Sequence, residues 1–545
     1  MTRSTLRRVL VLCLATLVLH IVLIQPNHPA AMTWRALLLF PLELPALICA
    51  LIALGHTRAS GVFRGILVVS LTAIVVLKTA DFVSFNALSR GFNPVADFPL
   101  ITAFGRLLLG ALGPVLTVLA CIAALAAIGM VAWILWWATG IWAGIMVPRA
   151  GRQASAVIAV CATGIAIAEI GHVMGRWSLT ANPPGAAFTA RVGVERVVMV
   201  RNTLAELRAF HVAVQQDPFA DASNLFTAID RDVLVIFIES YGRTSIDIPF
   251  FADLHRETLA TYDTELRELG LSMRSGILKS PTKGGQSWLA HASIANGLWI
   301  DNQVRYGAAL TSGRQTLYHH AQRNGFHTGA VMPQITLDWP EADRMGFDTV
   351  LPAKDLGYKG LPFNWVTMPD QFTLAALDRL LRETVADRHV FAQVALASSH
   401  APWTPVPDVI AWDDIGDGTI YNDAATSGDP PDVVWRDRER VRLQYKLAVN
   451  YSLQTVFEYA ALHAADPPLM IVIGDHQAAE LIARDHRSDV PVHVIGPRHL
   501  VAPLSALAPT DGLIPADDVP VIAMDSVRDI LLKAYTTPPS TEVAN

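Results

Sequence analysis

The sequence predicts a protein of two parts: an N-terminal bundle of about five transmembrane helices, and an α/β/α domain with a mostly parallel central sheet. Of the 545 residues, 52% are hydrophobic and only 17% are charged, which is too apolar for an ordinary soluble enzyme. Residues 1–175 carry 11 Lys and Arg against 4 Asp and Glu, whereas the remainder carries 31 against 44. From residue 232 onward, short apolar runs alternate with helical patterns.

Five apolar stretches in residues 1–175 approach the roughly 20 residues that a membrane-spanning helix needs. They lie at about residues 9–23, 37–54, 66–77, within 107–146, and 156–170. The third is short, and the fourth is long enough for one tilted helix and an interfacial piece, so the helix count of that segment stays open. The charged side chains near the spans are expected among lipid headgroups, except Glu43, which is expected to lie deeper; they are Lys78, Asp81, Glu169 and His172.

The placement of arginine predicts which side each loop faces. Arginines precede the first span, lie between the second and third, and lie between the fourth and fifth, which is typical of cytoplasmic segments. Five spans that begin inside place the rest of the chain outside the cytoplasm. We therefore expect a multi-pass protein of a bacterial-type inner (cytoplasmic) membrane, with a transmembrane domain at 1–175, an amphipathic connector at 176–230 and an exported domain at 231–545. The acidic balance of that domain argues against nucleic acid as a partner.

The predicted sheet places polar residues at the ends of three buried strands. The run at 233–238 ends in Glu239, the run at 390–397 is followed by His400, and the run at 469–473 is followed by Asp475 and His476. Continuous apolar strands separated by helices indicate a parallel sheet covered on both faces. Ligand sites of such sheets lie at the carboxyl ends of the strands.

The residue types at these ends are typical of metal-assisted phosphoryl transfer. Carboxylates and an imidazole suit Mn²⁺, Zn²⁺ or Mg²⁺, so we expect one divalent ion, or two. A glycine-containing loop delivers Ser287 to the start of a predicted helix, where backbone N–H groups face a phosphate. A serine hydroxyl is a weak nucleophile until a metal or a base activates it.

Four segments, FIESYG, GGQSWLAH, SSHAPW and IGDHQ, resemble the sulfatase/alkaline phosphatase superfamily. Within it they are most similar to the membrane-anchored lipoteichoic acid synthases and the phosphoglycerol or phosphoethanolamine transferases. The resemblance implies an alkaline phosphatase-like fold for the exported domain. It also implies that Glu239, Ser287, Asp475 and His476 are metal ligands, that Ser287 is the nucleophile, and that His400 contacts the phosphate.

The sequence departs from this family in three ways. These transferases usually have threonine as the nucleophile, so Thr282 is a rival to Ser287. The exported domain contains no cysteine, whereas phosphoethanolamine transferases of this kind usually carry disulfides, which favours the phosphoglycerol side. Leu289 and His291 stand where a sulfatase needs Pro and Arg for formylglycine formation, which argues against sulfatase activity.

Five residues are predicted to contact the substrate. His400 is expected to face the phosphate or the leaving group, and His486 lies where related enzymes often have a further histidine. Trp339 with Arg344, and Trp403, are expected to line a headgroup or sugar site, although ordinary core packing explains the tryptophans equally well.

The sequence therefore predicts a metal-dependent transferase with a phosphoserine intermediate. Its donor is phosphatidylglycerol or phosphatidylethanolamine, and its acceptor is a hydroxyl of an envelope glycan or lipid. Two alternatives stay open: a membrane-anchored phosphodiesterase or phosphatase that uses water as acceptor, and a non-catalytic envelope factor on the same fold.

Overall fold

The computed structural model describes residues 3–536 apart from 89, 182, 337, 338, 365, 366 and 386, and it divides into two compact units between Glu206 and Leu207. The division falls within the predicted connector and within one helix, Phe188–Gln215. The first unit contains α1 Arg3–Ile24, α2 Glu43–Leu54, α3 Arg58–Leu88, α4 Leu100–Ala143 and α5 Arg149–Val173, and the helix at the division is α6.

Four helices of the described residues are long and apolar enough to cross a membrane: α1, α3, α5 and the part of α4 from Leu112 to Ala143. The second predicted span forms only the 12-residue helix α2. It is short because a separate 3₁₀-helix, Trp34–Leu38, and Pro41 precede it, and proline disrupts a helix interior. The predicted count of five spans is therefore not confirmed.

Three of the charged residues near the predicted spans are buried against protein. The Lys78 ammonium donates to the Thr189 hydroxyl at 2.7 Å, and Asp81 forms an ion pair with Arg196. Glu169 accepts from the backbone N–H of Ala187 at 3.1 Å. Lys78 and Asp81 are 0% exposed and Glu169 is 4% exposed, so these side chains are enclosed by protein groups. The cause is that each finds a polar partner within the unit, which offsets the cost of burial.

The second unit is built on a mixed sheet of nine strands, counted over the described residues, in the order β4-β3-β5-β1-β6-β7-β2-β8, with β9 beside β2. The strands are β1 Val233–Ile238, β2 Ser272–Lys279, β3 His327–Met332, β4 Thr349–Pro352, β5 Val390–Leu396, β6 Leu469–Gly474, β7 Asp489–Gly496, β8 Thr510–Asp511 and β9 Val521–Ala523. The half from β4 to β6 is parallel, and β7 pairs antiparallel with both β6 and β2.

Helices cover both faces of this sheet, as predicted for an α/β/α domain. Strand β1 alternates between two hydrophobic cores: Leu234, Ile236 and Ile238 belong to one, and Val233, Val235 and Phe237 to the other. The helices are α7 Thr244–Asp247, α8 Pro249–Glu268, α9 Ser287–Asn296, α10 Gln303–Thr311, α11 Leu317–Arg323, α12 Asp370–Leu377, α13 Asn422–Ala425, α14 Pro431–Val434, α15 Arg438–Leu462, α16 Glu480–Ala483, α17 Arg498–Val501 and α18 Val527–Ala534.

Candidate active site

The register of three central strands brings their carboxyl ends to one point. Strand β1 lies between β5 and β6, and Ile238 pairs with Leu396 on one side and Gly474 on the other. The residues that follow, Glu239 and Asp475, therefore leave the sheet side by side. Both are buried, at 4% and 1% exposure. Burying two neighbouring carboxylates is costly unless a cation or hydrogen bonds compensate them, so this edge of the sheet has the character of a binding site.

Glu239, Asp475 and His476 form a compact set of ligand atoms. One atom from each lies within 4.8 Å of the others. His476 Nε2 is 2.9 Å from Glu239 Oε1, and Asp475 Oδ1 accepts from the backbone N–H of Ser240 at 2.8 Å. Ser240 holds a left-handed backbone with φ of 58°. Such strain in a non-glycine residue is often found at functional sites.

The loop before α9 brings Ser287 to this set. Lys283 bridges Gln477 in the parallel sense, and the Gly284 N–H donates to the Gln477 carbonyl at 2.8 Å, which fixes the loop beside the end of β6. Gln286 then has a left-handed φ of 67° just before the helix. As a result the Ser287 hydroxyl donates to Glu239 Oε2 at 3.0 Å.

The rival nucleophile Thr282 lies outside the described lining of the cavity that contains Ser287. Its side chain is buried, and its backbone N–H is 3.3 Å from the Ser280 hydroxyl. The geometry therefore favours Ser287 over Thr282 as the nucleophile.

The protonation of the set reflects its burial and its mutual charges. Burial by itself disfavours the charged form of His476 and lowers its pKa. The neighbouring carboxylates of Asp475 and Glu239 outweigh this effect and raise the pKa of His476 to about 9. Burial and the Glu239 charge raise the pKa of Asp475 well above its usual range. Against the effect of burial, His476 holds the pKa of Glu239 well below its usual range. Without a cation, the set therefore retains protons that metal ligands must lose.

These residues fit a divalent ion. Two carboxylates, one imidazole and a hydroxyl provide the oxygen and nitrogen donors that Mn²⁺, Zn²⁺ and Mg²⁺ take in proteins. The spacing of the three ionisable ligands suits a shared ion, and Ser287 adjoins Glu239. The donor set thus fits the metal that the resemblance implies.

A cavity of about 440 Å³ opens beside the set. Glu239, Asp475, Ser287 and His400 lie in its wall. Three polar side-chain nitrogens of this wall are buried and have no partner among the described residues: Gln286 Nε2, His291 Nε2 and Gln334 Nε2. Unpaired buried polar atoms are unfavourable unless a ligand or water satisfies them. The cavity therefore has the character of a site for a polar ligand.

His400 reaches the cavity from the loop after β5. Its Nδ1 contacts the Ala401 carbonyl, which can only accept, so Nδ1 carries a proton. The loop is held by Asp370, whose Oδ1 accepts from the N–H groups of Ala397 and Ser398, each at 2.8 Å. This leaves His400 Nε2 as the ring nitrogen available for proton exchange.

The structure brings only one further predicted substrate contact, Trp339, into the cavity wall. Trp403 is buried in the core, where its ring stacks on Trp435 at 5.7 Å and its indole N–H donates to the Ser399 carbonyl. Arg344 and His486 are exposed and lie outside the described lining.

Sequence reasoning missed several residues of the site. Tyr306, Gln303 and Glu341 line the cavity from α10 and from a 3₁₀-helix, Pro340–Arg344. None of them follows a strand, so the rule that located the metal set gives no signal for them. The Asn302 side chain that caps α10 marks only the start of a helix. Asp370 was also missed, because the backbone groups that it contacts are far away in the sequence.

No family model matches the chain, and no curated protein matches it. Solved structures do. The lipooligosaccharide phosphoethanolamine transferase EptA from Neisseria meningitidis is 13% identical and has a TM-score of 0.46, with 95% of each chain covered. The phosphoglycerol transferase GacH from Streptococcus pyogenes is 13% identical and has a TM-score of 0.36, with 62% of this chain and 92% of that chain covered. The lipoteichoic acid synthase LtaP from Listeria monocytogenes is 12% identical and has a TM-score of 0.37, with 61% and 78% covered. The names of these three proteins correspond to the families that the four sequence motifs resemble.

Proposed function

We propose that the protein is a membrane-anchored, metal-dependent phosphotransferase that moves the phosphorylated headgroup of a phospholipid to a hydroxyl of an envelope glycan or lipid. The observation that carries the proposal is the hydrogen bond from the Ser287 hydroxyl to Glu239, within a set that fits a divalent ion. The resemblance of the four motifs supports it. The apolar helices support a membrane anchor, which keeps the site at the surface where the donor's acyl chains remain.

Glu239, Asp475, His476 and Ser287 would hold the ion, which when bound neutralises charge on the transferring phosphoryl group. In the first step the Ser287 Oγ forms a bond to phosphorus as the bond from phosphorus to the diacylglycerol oxygen breaks. The serine proton, which is hydrogen-bonded to Glu239, is released to water, because the lowered pKa of Glu239 makes this carboxylate a poor proton acceptor. The diacylglycerol oxygen takes a proton from His400 Nε2, so this step requires His400 to begin as an imidazolium with a proton on each ring nitrogen. The product is diacylglycerol and a headgroup phosphate ester on Ser287.

The second step reverses these roles. The acceptor oxygen forms a bond to phosphorus as the bond from phosphorus to Ser287 breaks. His400, now neutral, takes the acceptor proton, and Ser287 regains a proton from water. Water as the acceptor would give hydrolysis, and the same site would then be a phosphodiesterase.

The test is intact mass spectrometry of the full-length protein with Mn²⁺ and vesicles of phosphatidylglycerol or phosphatidylethanolamine. We expect Ser287 to gain the mass of one headgroup phosphate, and the Ser287→Ala variant to gain none and to lose about 10³-fold or more in turnover. Thr282→Val removes the rival hydroxyl and is expected to keep the adduct. An unmodified chain together with unchanged turnover in Ser287→Ala would overturn the proposal.

A further inference from the structure

Within the proposed function, the wall of the cavity distinguishes between headgroups. Outside the metal-ligand set, one carboxylate, Glu341, is the acidic group of the described lining, and that lining contains no Lys or Arg. Among the described residues, no basic side chain forms an ion pair with Glu341. An uncompensated carboxylate in a cavity wall attracts a cation and repels additional negative charge.

Aromatic side chains connect this carboxylate to the nucleophile. Trp288 directly follows Ser287, and its indole N–H donates to Gln303 Oε1 at 3.0 Å, which joins α9 to α10. One turn further along α10, Tyr306 is buried in the cavity wall, and α10 packs against the 3₁₀-helix that carries Glu341. Trp288, Gln303, Tyr306, Trp339 and Glu341 all line the same cavity. They form a continuous wall, here named the aromatic–acidic wall, that begins at the reacting serine.

The chemistry of this wall suits an ammonium group. Indole and phenol rings attract cations to their faces, and a carboxylate adds charge complementarity. A glycerol headgroup carries no charge apart from its phosphate, so neither the aromatic faces nor the carboxylate would attract it in this way. The unpaired nitrogens of Gln286 and Gln334 in the same cavity suit donation to phosphate oxygens. A zwitterionic headgroup, with a phosphate and an ammonium group, matches both features.

We propose, on the basis of the proposed function, that the aromatic–acidic wall binds the ammonium group of the transferred headgroup, so that the donor is a phosphatidylethanolamine-class lipid. The inference runs against the expectation drawn from the absence of cysteine. Disulfides stabilise a fold and do not contact the headgroup, whereas Glu341, Trp339 and Tyr306 line the site itself.

The first experiment measures the donor preference of the full-length protein in vesicles. We expect the Ser287 adduct to have the mass of ethanolamine phosphate, and kcat/KM to favour phosphatidylethanolamine over phosphatidylglycerol by about tenfold or more. Glu341→Gln keeps the side-chain shape but removes the charge, and is expected to reduce this preference about tenfold. Asp343→Asn removes a carboxylate from the same 3₁₀-helix, where Asp343 is exposed and outside the described lining, and is expected to leave the preference unchanged.

The second experiment measures binding without turnover. Phosphoethanolamine and glycerol 3-phosphate are titrated calorimetrically into the Mn²⁺-loaded Ser287→Ala variant, with and without Glu341→Gln. We expect phosphoethanolamine to bind more tightly, and the difference to disappear with Glu341→Gln. Equal binding, or a glycerol phosphate adduct formed at least as fast as the ethanolamine one, would overturn the inference and leave the phosphotransferase proposal standing. No adduct from either lipid, with Ser287→Ala as active as the unmodified protein, would overturn both.

Discussion

At the scale of single residues, Glu239 has the central position. Its Oε2 accepts from the Ser287 hydroxyl and its Oε1 faces His476 Nε2, so one buried carboxylate contacts both the nucleophile and a second metal ligand. In the metal-free protein the neighbouring carboxylates raise the pKa of His476, so this imidazole retains a proton that partly compensates their negative charge. A metal therefore competes with protons for this set.

The pH dependence of metal binding follows from this competition. His476 has a pKa of about 9 in the metal-free protein and must be neutral to bind a metal. Below that pH binding releases the His476 proton, together with the proton that burial and the Glu239 charge hold on Asp475, so the affinity for Mn²⁺ is expected to rise at least about tenfold per pH unit. Calorimetry near neutral pH, in buffers of different ionisation enthalpy, measures the released protons. An affinity that stays constant from about pH 6 to pH 8 would contradict the expectation.

At the scale of elements, the loop after β5 depends on the start of α12. Asp370 is fully buried, and its two oxygens accept from the backbone of Ala397 and Ser398 and from the Ser452 hydroxyl at 2.6 Å. The same loop carries His400, and the Ser399 hydroxyl donates to the Glu239 carbonyl at 2.6 Å. Asp370 and Ser399 thus hold the loop that carries His400, and Ser399 joins this loop to the end of β1.

Replacing Asp370 by asparagine tests this connection. The amide retains one acceptor oxygen and places an N–H₂ group where a buried acceptor is needed, so the free energy of unfolding is expected to fall by about 1–3 kcal/mol. We also expect kcat to fall more than KM changes, because His400 is displaced while the cavity wall remains. Denaturant unfolding and steady-state kinetics measure the two effects. Asp408→Asn, at an exposed position, is expected to stay within about 0.5 kcal/mol. Equal effects of the two variants would contradict the role of Asp370.

At the scale of the whole molecule, many apolar side chains of the first unit are exposed, whereas several of its charged side chains are buried. Leu125 and Val160 are 70% and 73% exposed, whereas Lys78 and Asp81 are fully buried. This distribution is unfavourable in water and suits a lipid environment. The arginine pattern, together with the five spans predicted from the sequence, then predicts that the second unit is exported.

Cysteine labelling tests this orientation. All four cysteines, Cys13, Cys49, Cys121 and Cys161, lie in the first unit, so a cysteine-free chain leaves the second unit unaltered. In that background, Asp466→Cys, at a side chain that is 94% exposed, is expected to react with a membrane-impermeant maleimide in cells whose outer membrane is permeable. Arg58→Cys, in a predicted cytoplasmic segment, is expected to react only after lysis. The reverse pattern would contradict the predicted export.

The sequence by itself determined the central strands and the residues that follow them. Strands β1, β5 and β6 are buried on both faces, and continuous apolar runs record such burial directly. Parallel strands end at one edge, so the proximity of Glu239 and Asp475 could be predicted. Strands β2 and β7 were not predicted, because Arg274 and Gly276 interrupt one run and Pro491 and His493 the other.

Only the tertiary structure decided which side chains share the cavity and which charges are buried. Glu341 and Tyr306 meet the site from separate elements, Trp403 is taken into the core, and Lys78 and Asp81 find buried partners. The physical reason is that the free energy of a polar side chain depends on the groups around it. Those groups come from distant parts of the chain, whereas the apolar run of a buried strand is a local property.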